Sequence, residues 1–233
     1  MKTGEEIYKL ALKHEGEDYV LGTLVPKNNS NWKGPWDCAE FVSWCVYQIS
    51  GILYGCDNNS GNPANADAYT GYWGRDSNEL GKQISINEAA STKGAAVLRL
   101  STPSVRVGHI VISDGKGGTI EAHSTNSGVI KSTLSGRRWD TGILVPGISY
   151  NSEGISHPDL PAAEIYRLKS PLMKGTKVKD IQRALKGKGY DHGKLDGVFG
   201  NKTYTAVVAY QAAKGLVVDG EVGPATLKSL GIK

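Results

Sequence analysis

The chain has 233 residues, 39% of them hydrophobic and 21% charged, which leaves room for one or two globular domains. It holds no apolar run of about eighteen residues, so no membrane-spanning helix and no stable membrane insertion are expected. Its three cysteines include no Cys-x-x-Cys pair, which points away from a disulfide framework, a zinc site or any other metal.

Residues 1–12 read as an amphipathic helix with Ile7, Leu10 and Ala11 on one face. Glu5, Glu6 and Lys9 interrupt its apolar residues, so the segment is not a secretory signal, and synthesis in the cytoplasm is expected. The next informative run is Pro35-Trp36-Asp37-Cys38-Ala39-Glu40. Pro35 and Asp37 favour a helix start, and Val42, Cys45, Val46 and Ile49 follow at the spacing of one helix face. Cys38 therefore falls in a first helical turn, where unpaired N–H groups and the helix dipole favour a thiolate. Cys45 lies on the apolar face and reads as core. Cys56 and residues 57–92 carry no motif that fixes their role.

His109 opens a β-branched run, Val107-Gly108-His109-Ile110-Val111-Ile112-Ser113, that reads as a strand. The turn signal Asp114-Gly115-Lys116-Gly117-Gly118 follows, and residues 119–124 run back as a second strand. Side chains alternate along a strand, so Glu121 and His123 share a face, and either could stand beside His109. A helix-start Cys, a strand His and a polar group on the next strand form the set that thiol catalysis requires: nucleophile, base and a group that orients the base.

Residues 149–171, with Pro158, Pro161 and Pro171 among Asn, Ser and Gly, read as a linker. Beyond them the chain repeats itself. Asp196-Gly197-Val198-Phe199-Gly200-Asn201-Lys202-Thr203 is echoed by Asp219-Gly220-Glu221-Val222-Gly223-Pro224-Ala225-Thr226. Each is a turn followed by a helix start, with Asn201 a candidate N-cap and Pro224 suited to a first turn. Helices carrying Val178, Ile181, Gln182 and Leu185, and then Val207, Tyr210 and Gln211, precede the two turns. Charge divides along the same boundary. Residues 166–233 hold 13 basic and 5 acidic side chains, whereas residues 1–165 hold 14 and 18. A basic tail raises nucleic acid as a partner. No base-stacking motif or arginine cluster accompanies it, so no nucleic acid is expected, and attraction to an anionic wall is the simpler reading.

Residues 1–148 resemble the NlpC family of papain-like cysteine peptidases, which cut bacterial cell-wall peptides. Asp37-Cys38 matches the family's helix-opening pair and Gly108-His109 its strand-opening pair. Glu121 or His123 takes the third place, twelve or fourteen residues after His109. Gly16-Glu17-Asp18-Tyr19 with Gly22 resembles the family's entry segment, whose Tyr lies beside the nucleophile. Gly136-Arg137-Arg138-Trp139-Asp140 resembles a closing strand segment. The resemblance implies Cys38, His109 and Glu121 or His123 as catalytic residues, Tyr19, Trp36 and Asp37 as substrate-binding residues, and no cofactor. The chain departs from the family's Asp-Cys-Ser-Gly pattern at Ala39-Glu40. That loses a hydroxyl expected to help bind a substrate amine, and shifts the chain toward the related cysteine, histidine-dependent amidohydrolases.

The last sixty or so residues resemble the three-helix peptidoglycan-binding domain. The fold implied is α+β: a papain-like domain of N-terminal helices packed on an antiparallel sheet over residues 1–148, a linker over 149–171, and a small all-α domain over 172–233. The function implied is a peptidoglycan hydrolase resembling a phage endolysin, a monomer that acts on the wall after release from the cytoplasm at host lysis. The bond implied first is D-γ-glutamyl to diamino acid; the muramoyl–alanine amide comes second. A wall-binding protein without catalysis and an acyltransferase on the same scaffold are the competing classes.

Overall fold

The computed structural model describes residues 2–103, 107–151 and 164–232. These fall into two units, each with its own hydrophobic core.

The front unit is built on a six-stranded sheet. Its strands are β1 (Lys82–Ile84), β2 (Ala96–Arg99), β3 (His109–Ser113), β4 (Gly118–Ser124), β5 (Gly128–Thr133) and β6 (Thr141–Leu144), in the order β1-β6-β2-β3-β4-β5. All pairs are antiparallel. The expected hairpin turn closes as its sequence suggests: Asp114 Oδ1 accepts from the N–H groups of Lys116 and Gly118, at 2.6 and 2.8 Å. Alternation along the strands divides two cores. Ile110, Ile112, Ile120 and Ala122 join the core that contains helices α1 (Gly4–Leu12) and α2 (Cys38–Ser50). Val97 and Val111 join Ala89 and Ala90, which belong to the short helix 86–90.

Helix α1 starts at a capping box between Thr3 and Glu6 and buries Ile7 and Ala11, as the periodicity predicts. Helix α2 departs from its predicted one-sided pattern. Every residue from Cys38 to Val46 is buried, because α1, β3 and β4 all pack around it. Its polar residues therefore need partners inside the protein. Ser43 donates to Tyr54 O at 2.8 Å and accepts from Trp73 Nε1 at 2.9 Å. Glu40 accepts from the N–H groups of Val25 and Ala68, at 3.1 and 2.7 Å, and pairs with Lys27.

Residues 57–92, which carry no legible motif, supply α3 (Thr70–Glu79), β1 and α4 (Ile86–Ala90). Cys56 is a buried free thiol beside the bridge that pairs it with Ala68. Residues 136–140 are not a closing strand. They precede β6, and Asp140 ties that strand's start to the end of β2, its N–H donating to Leu98 O at 2.8 Å and its Oδ2 accepting from Leu100 N at 2.7 Å.

The described ends of the stretch expected as a linker are bonded to the units beside them. Ser149 belongs to the front unit through its bonds with Lys2 and Gly4, and Tyr150 through its hydroxyl on Val145 N. Tyr166 already belongs to the tail, exchanging backbone bonds with Val222. Pro158 and Pro161 lie outside the described residues.

The tail unit packs α5 (Thr176–Gly187), α6 (Asn201–Ala213) and α7 (Pro224–Leu230) around Ile181, Leu185, Phe199, Val207 and Tyr210. The sequence repeat is a structural repeat. Gln182 accepts from Gly197 N and donates to Asp196, Val198 O and Thr203. Gln211 accepts from Gly220 N and donates to Asp219, Glu221 O and Thr226. Each buried amide thus locks one Asp-Gly turn to the next helix. Gly197 and Gly220, at φ 72 and 70°, supply the left-handed backbone that these turns require. The cap before α6 is Gly200 rather than Asn201, which is the first helical residue.

Candidate active site

Cys38 is the first residue of α2. Asp37 caps that helix, its Oδ1 accepting from Ala39 N at 3.0 Å, while its Oδ2 accepts from Gly22 N at 3.0 Å. The backbone N–H groups of Ile110 and Ala39 and the charge of Arg99 pull the Cys38 thiol toward ionisation. Burial and the Asp37 carboxylate oppose them and win, so the thiol lies well above its ordinary range. The helix contributes, but desolvation outweighs it.

His109 begins β3 opposite Arg99 of β2. The glycine before it has a steric reason: a Cβ on Gly108 would collide with Thr70 Oγ1 and lie 2.9 Å from Arg99 O. Glu121 Oε2 lies 2.5 Å from His109 Nε2, and Thr119 Oγ1 donates to Glu121 Oε1 at 2.9 Å. The carboxylate is fully buried and the imidazole is 5% exposed. Glu121 engages Nε2, so chemistry with a thiol falls to Nδ1, the other ring nitrogen.

The β3–β4 ladder pairs Ser113 with Thr119 and Ile112 with Ile120. Continued at that register it would set His123 opposite His109, yet the imidazole is bonded by Glu121, two residues nearer the turn. His123 sits where a bulge shifts the β4–β5 register between Ala122 and Ser124. Its ring meets His109 edge-on at 6.3 Å between centroids, and its Nδ1 lies 3.2 Å from Ser124 Oγ.

Tyr19 is brought near Cys38 by a parallel bridge with Trp36: Val20 N donates to Trp36 O, and Trp36 N to Asp18 O, each at 2.9 Å. Burial, then the neighbouring Cys38 and Asp37, push its phenol upward, so it stays a neutral O–H donor. Trp36 corrects an expectation. Its ring is fully buried, edge-on to His14, Phe41 and Trp44, with Nε1 donating to Glu17 Oε2 at 2.6 Å. It braces the entry segment and presents no surface to a substrate. Glu40, two residues after Cys38, points from a different helix face and is spent on Lys27 and two loop N–H groups.

Three residues near the site are not assigned to it by the sequence reading. Arg99 ends the buried apolar run 95–98, and the signal for it is that this run forms the strand beside β3. Trp139 lies 6.2 Å from the His109 ring, tilted by 30°, with Nε1 donating to Leu134 O. Thr119 follows from the β4 alternation once it is read from Glu121 toward the turn.

Comparisons with known proteins bear on the two parts separately. Residues 174–230 match the family described as "Putative peptidoglycan binding domain". Among curated relatives, the N-acetylmuramoyl-L-alanine amidase CwlL of Bacillus licheniformis is 43% identical over 88 residues, covering 35% of this chain and 24% of its own. The N-acetylmuramoyl-L-alanine amidase CwlM of Mycobacterium tuberculosis is 36% identical over 93 residues, covering 38% and 23%. The matched stretches thus span about a quarter of those relatives. Among solved structures, the NlpC/p60 domain of the peptidoglycan hydrolase SagA aligns with 61% of this chain and 99% of its own, at 20% identity and a TM-score of 0.43. The chain is thus similar in its tail to the peptidoglycan-binding family.

Proposed function

We propose that the chain is a peptidoglycan hydrolase that cuts an amide bond of the wall's stem peptide through Cys38, with the tail holding it to the wall. The observation that carries this reading is the buried His109–Glu121 pair at 2.5 Å on the strand whose Ile110 N–H bonds the helix-start Cys38, in a chain whose tail matches a wall-binding family.

His109 takes the Cys38 proton, and the sulfur attacks the amide carbonyl. Glu121 holds the imidazole in position and stabilises the imidazolium. The N–H of Cys38, one of the first-turn donors that a helix leaves without an intrahelical partner, and the Tyr19 hydroxyl are suited to the oxyanion. His109 then returns the proton to the departing amine, leaving a thioester on Cys38. Water adds to that thioester, giving the carboxylic acid and restoring the thiol.

The bond we propose is D-γ-glutamyl to diamino acid. The muramoyl–alanine amide is the second reading, favoured by the names of the curated relatives, whose matches cover the binding region. Incubation with purified sacculi, followed by mass spectrometry of the released fragments, separates them. A new amine on the diamino acid supports the first bond, and a new amine on alanine the second. Binding without any new amine would leave only a wall-binding protein.

A further inference from the structure

The tail contains a feature that the sequence repeat does not duplicate. A cavity of about 600 Å³ opens between residues 191–196 and the start of α6, lined among others by His192, Lys194, Asn201 and Lys202. His192 is 3% exposed, yet its Nδ1 has no hydrogen-bond partner among the described residues. A buried polar atom without a partner is costly unless something else supplies one. The first turn of α6 adds donors to the same place. Its cap is a glycine, which has no side chain to satisfy the N–H groups that follow, and that end of the helix carries partial positive charge. The stem of Lys202 lies across Gly193, where a Cβ would come within 2.7 Å of its Cδ. Asp191 and Asp196 also line the cavity, but each is turned on its own loop. Asp191 accepts from Gly193 N, and Asp196 from Val198 N and Gln182. At the matching place in the second repeat, Gly223-Pro224-Ala225 offers neither the lysine nor the first N–H.

We infer that this cavity is an oxyanion-binding site of the tail. It would take a carboxylate of the stem peptide or a phosphodiester of a wall polymer, with the α6 N–H groups and Lys202 facing the anion and His192 donating through Nδ1. The inference rests on the wall-binding role proposed for the tail and assigns it a recognition pocket.

The test uses the full chain with ¹³C-labelled histidine, followed at the His192 ring by NMR. The probes are N-acetyl-alanyl-alanine with a free carboxylate, the same dipeptide as its C-terminal amide, and methyl phosphate. A saturable shift with the free carboxylate, about tenfold weaker with the amide as expected for loss of a charge-assisted bond, supports the stem-peptide source. A saturable shift with methyl phosphate alone supports the phosphodiester source. Lys202→Ala and Lys194→Ala alter exposed side chains, so they keep the test open should a His192 variant fail to fold. Lys202→Ala should weaken the effective probe severalfold. A saturable shift of equal strength with carboxylate and amide, no saturable response to any probe, or full affinity in both lysine variants would overturn the site. Sacculus pelleting of the unmodified chain distinguishes the two failures: pelleting without a pocket response refutes the pocket alone, whereas no pelleting refutes the wall-binding role itself.

Discussion

Glu121 and His109 meet at 2.5 Å with the carboxylate fully enclosed, and Thr119 holds the other carboxylate oxygen. An acid removed from water and bonded on both oxygens has little freedom to turn, so the imidazole it holds is fixed in tautomer and direction. His123 meets that imidazole through a ring edge instead. Glu121→Gln should lower kcat on a soluble stem peptide by about 10²-fold or more, within the range seen when a triad's orienting acid is disturbed. His123→Ala should cost less than about tenfold. If His123→Ala proves the more damaging change, the orienting role passes to the imidazole.

The thiol's environment gives a prediction with opposite signs at two positions. The Asp37 carboxylate holds the Cys38 thiol up, and the Arg99 charge pulls it down. Asp37→Asn keeps a residue able to cap α2 but removes the negative charge, so the thiol should ionise at lower pH. Arg99→Met should move the midpoint higher. The pH dependence of Cys38 alkylation by iodoacetamide reads both changes. A midpoint lowered by one pH unit gives about tenfold more thiolate at a fixed pH well below it. Movement of both variants in one direction would contradict this account of the site's electrostatics.

Trp36 and Lys27 should behave as structural residues. Trp36→Ala removes a fully buried ring from an aromatic cluster and should destabilise the front unit by about 3–5 kcal/mol. Trp36→Phe, which keeps an aromatic ring in that cluster, should leave KM for a soluble peptide within about twofold. Lys27→Met strands the Glu40 carboxylate in the interior and should cost about 3–5 kcal/mol. Urea denaturation measures the stabilities. A rise in KM for Trp36→Phe without loss of stability would restore the ring to the substrate site.

In the tail, Gln182 and Gln211 each lock one turn through both ends of the amide. Replacing either amide with Leu leaves several buried groups unmatched and should destabilise the tail by about 2–4 kcal/mol. The unfolding transition of the tail should move while the turnover of a soluble peptide stays unchanged. An unaltered transition in both variants would mean that the turns hold without their amides.

The parts legible in the sequence are those set by local chemistry. The start of α2 at Asp37-Cys38, the β3–β4 hairpin around Asp114 and the repeated Asp-Gly turns each follow from residues close together in the chain. What stays hidden depends on contacts between distant segments. The burial of Cys38 and Trp36, the spending of Glu40 on Lys27, and the approach of Arg99 and Trp139 to the site arise only when the sheet and α2 close on each other. Alternation alone puts Glu121 and His123 on one face, and the bulge between Ala122 and Ser124, invisible to that rule, sets them apart. Residues 57–92 have no readable periodicity because their helices are short and anchored by side chains such as Asp76, which accepts from Gly55 N in a distant part of the chain.

The central claim is that Cys38 cuts an amide bond of the wall. The direct measurement is mass spectrometry of sacculi after incubation with the unmodified chain and with Cys38→Ala, both first shown to be folded and to pellet with the wall. The unmodified chain should release fragments with new amine ends and pass through a thioester on Cys38 that hydroxylamine can trap. Cys38→Ala should pellet equally and release none. New amine ends from Cys38→Ala at the rate of the unmodified chain would contradict the assignment of Cys38 as nucleophile.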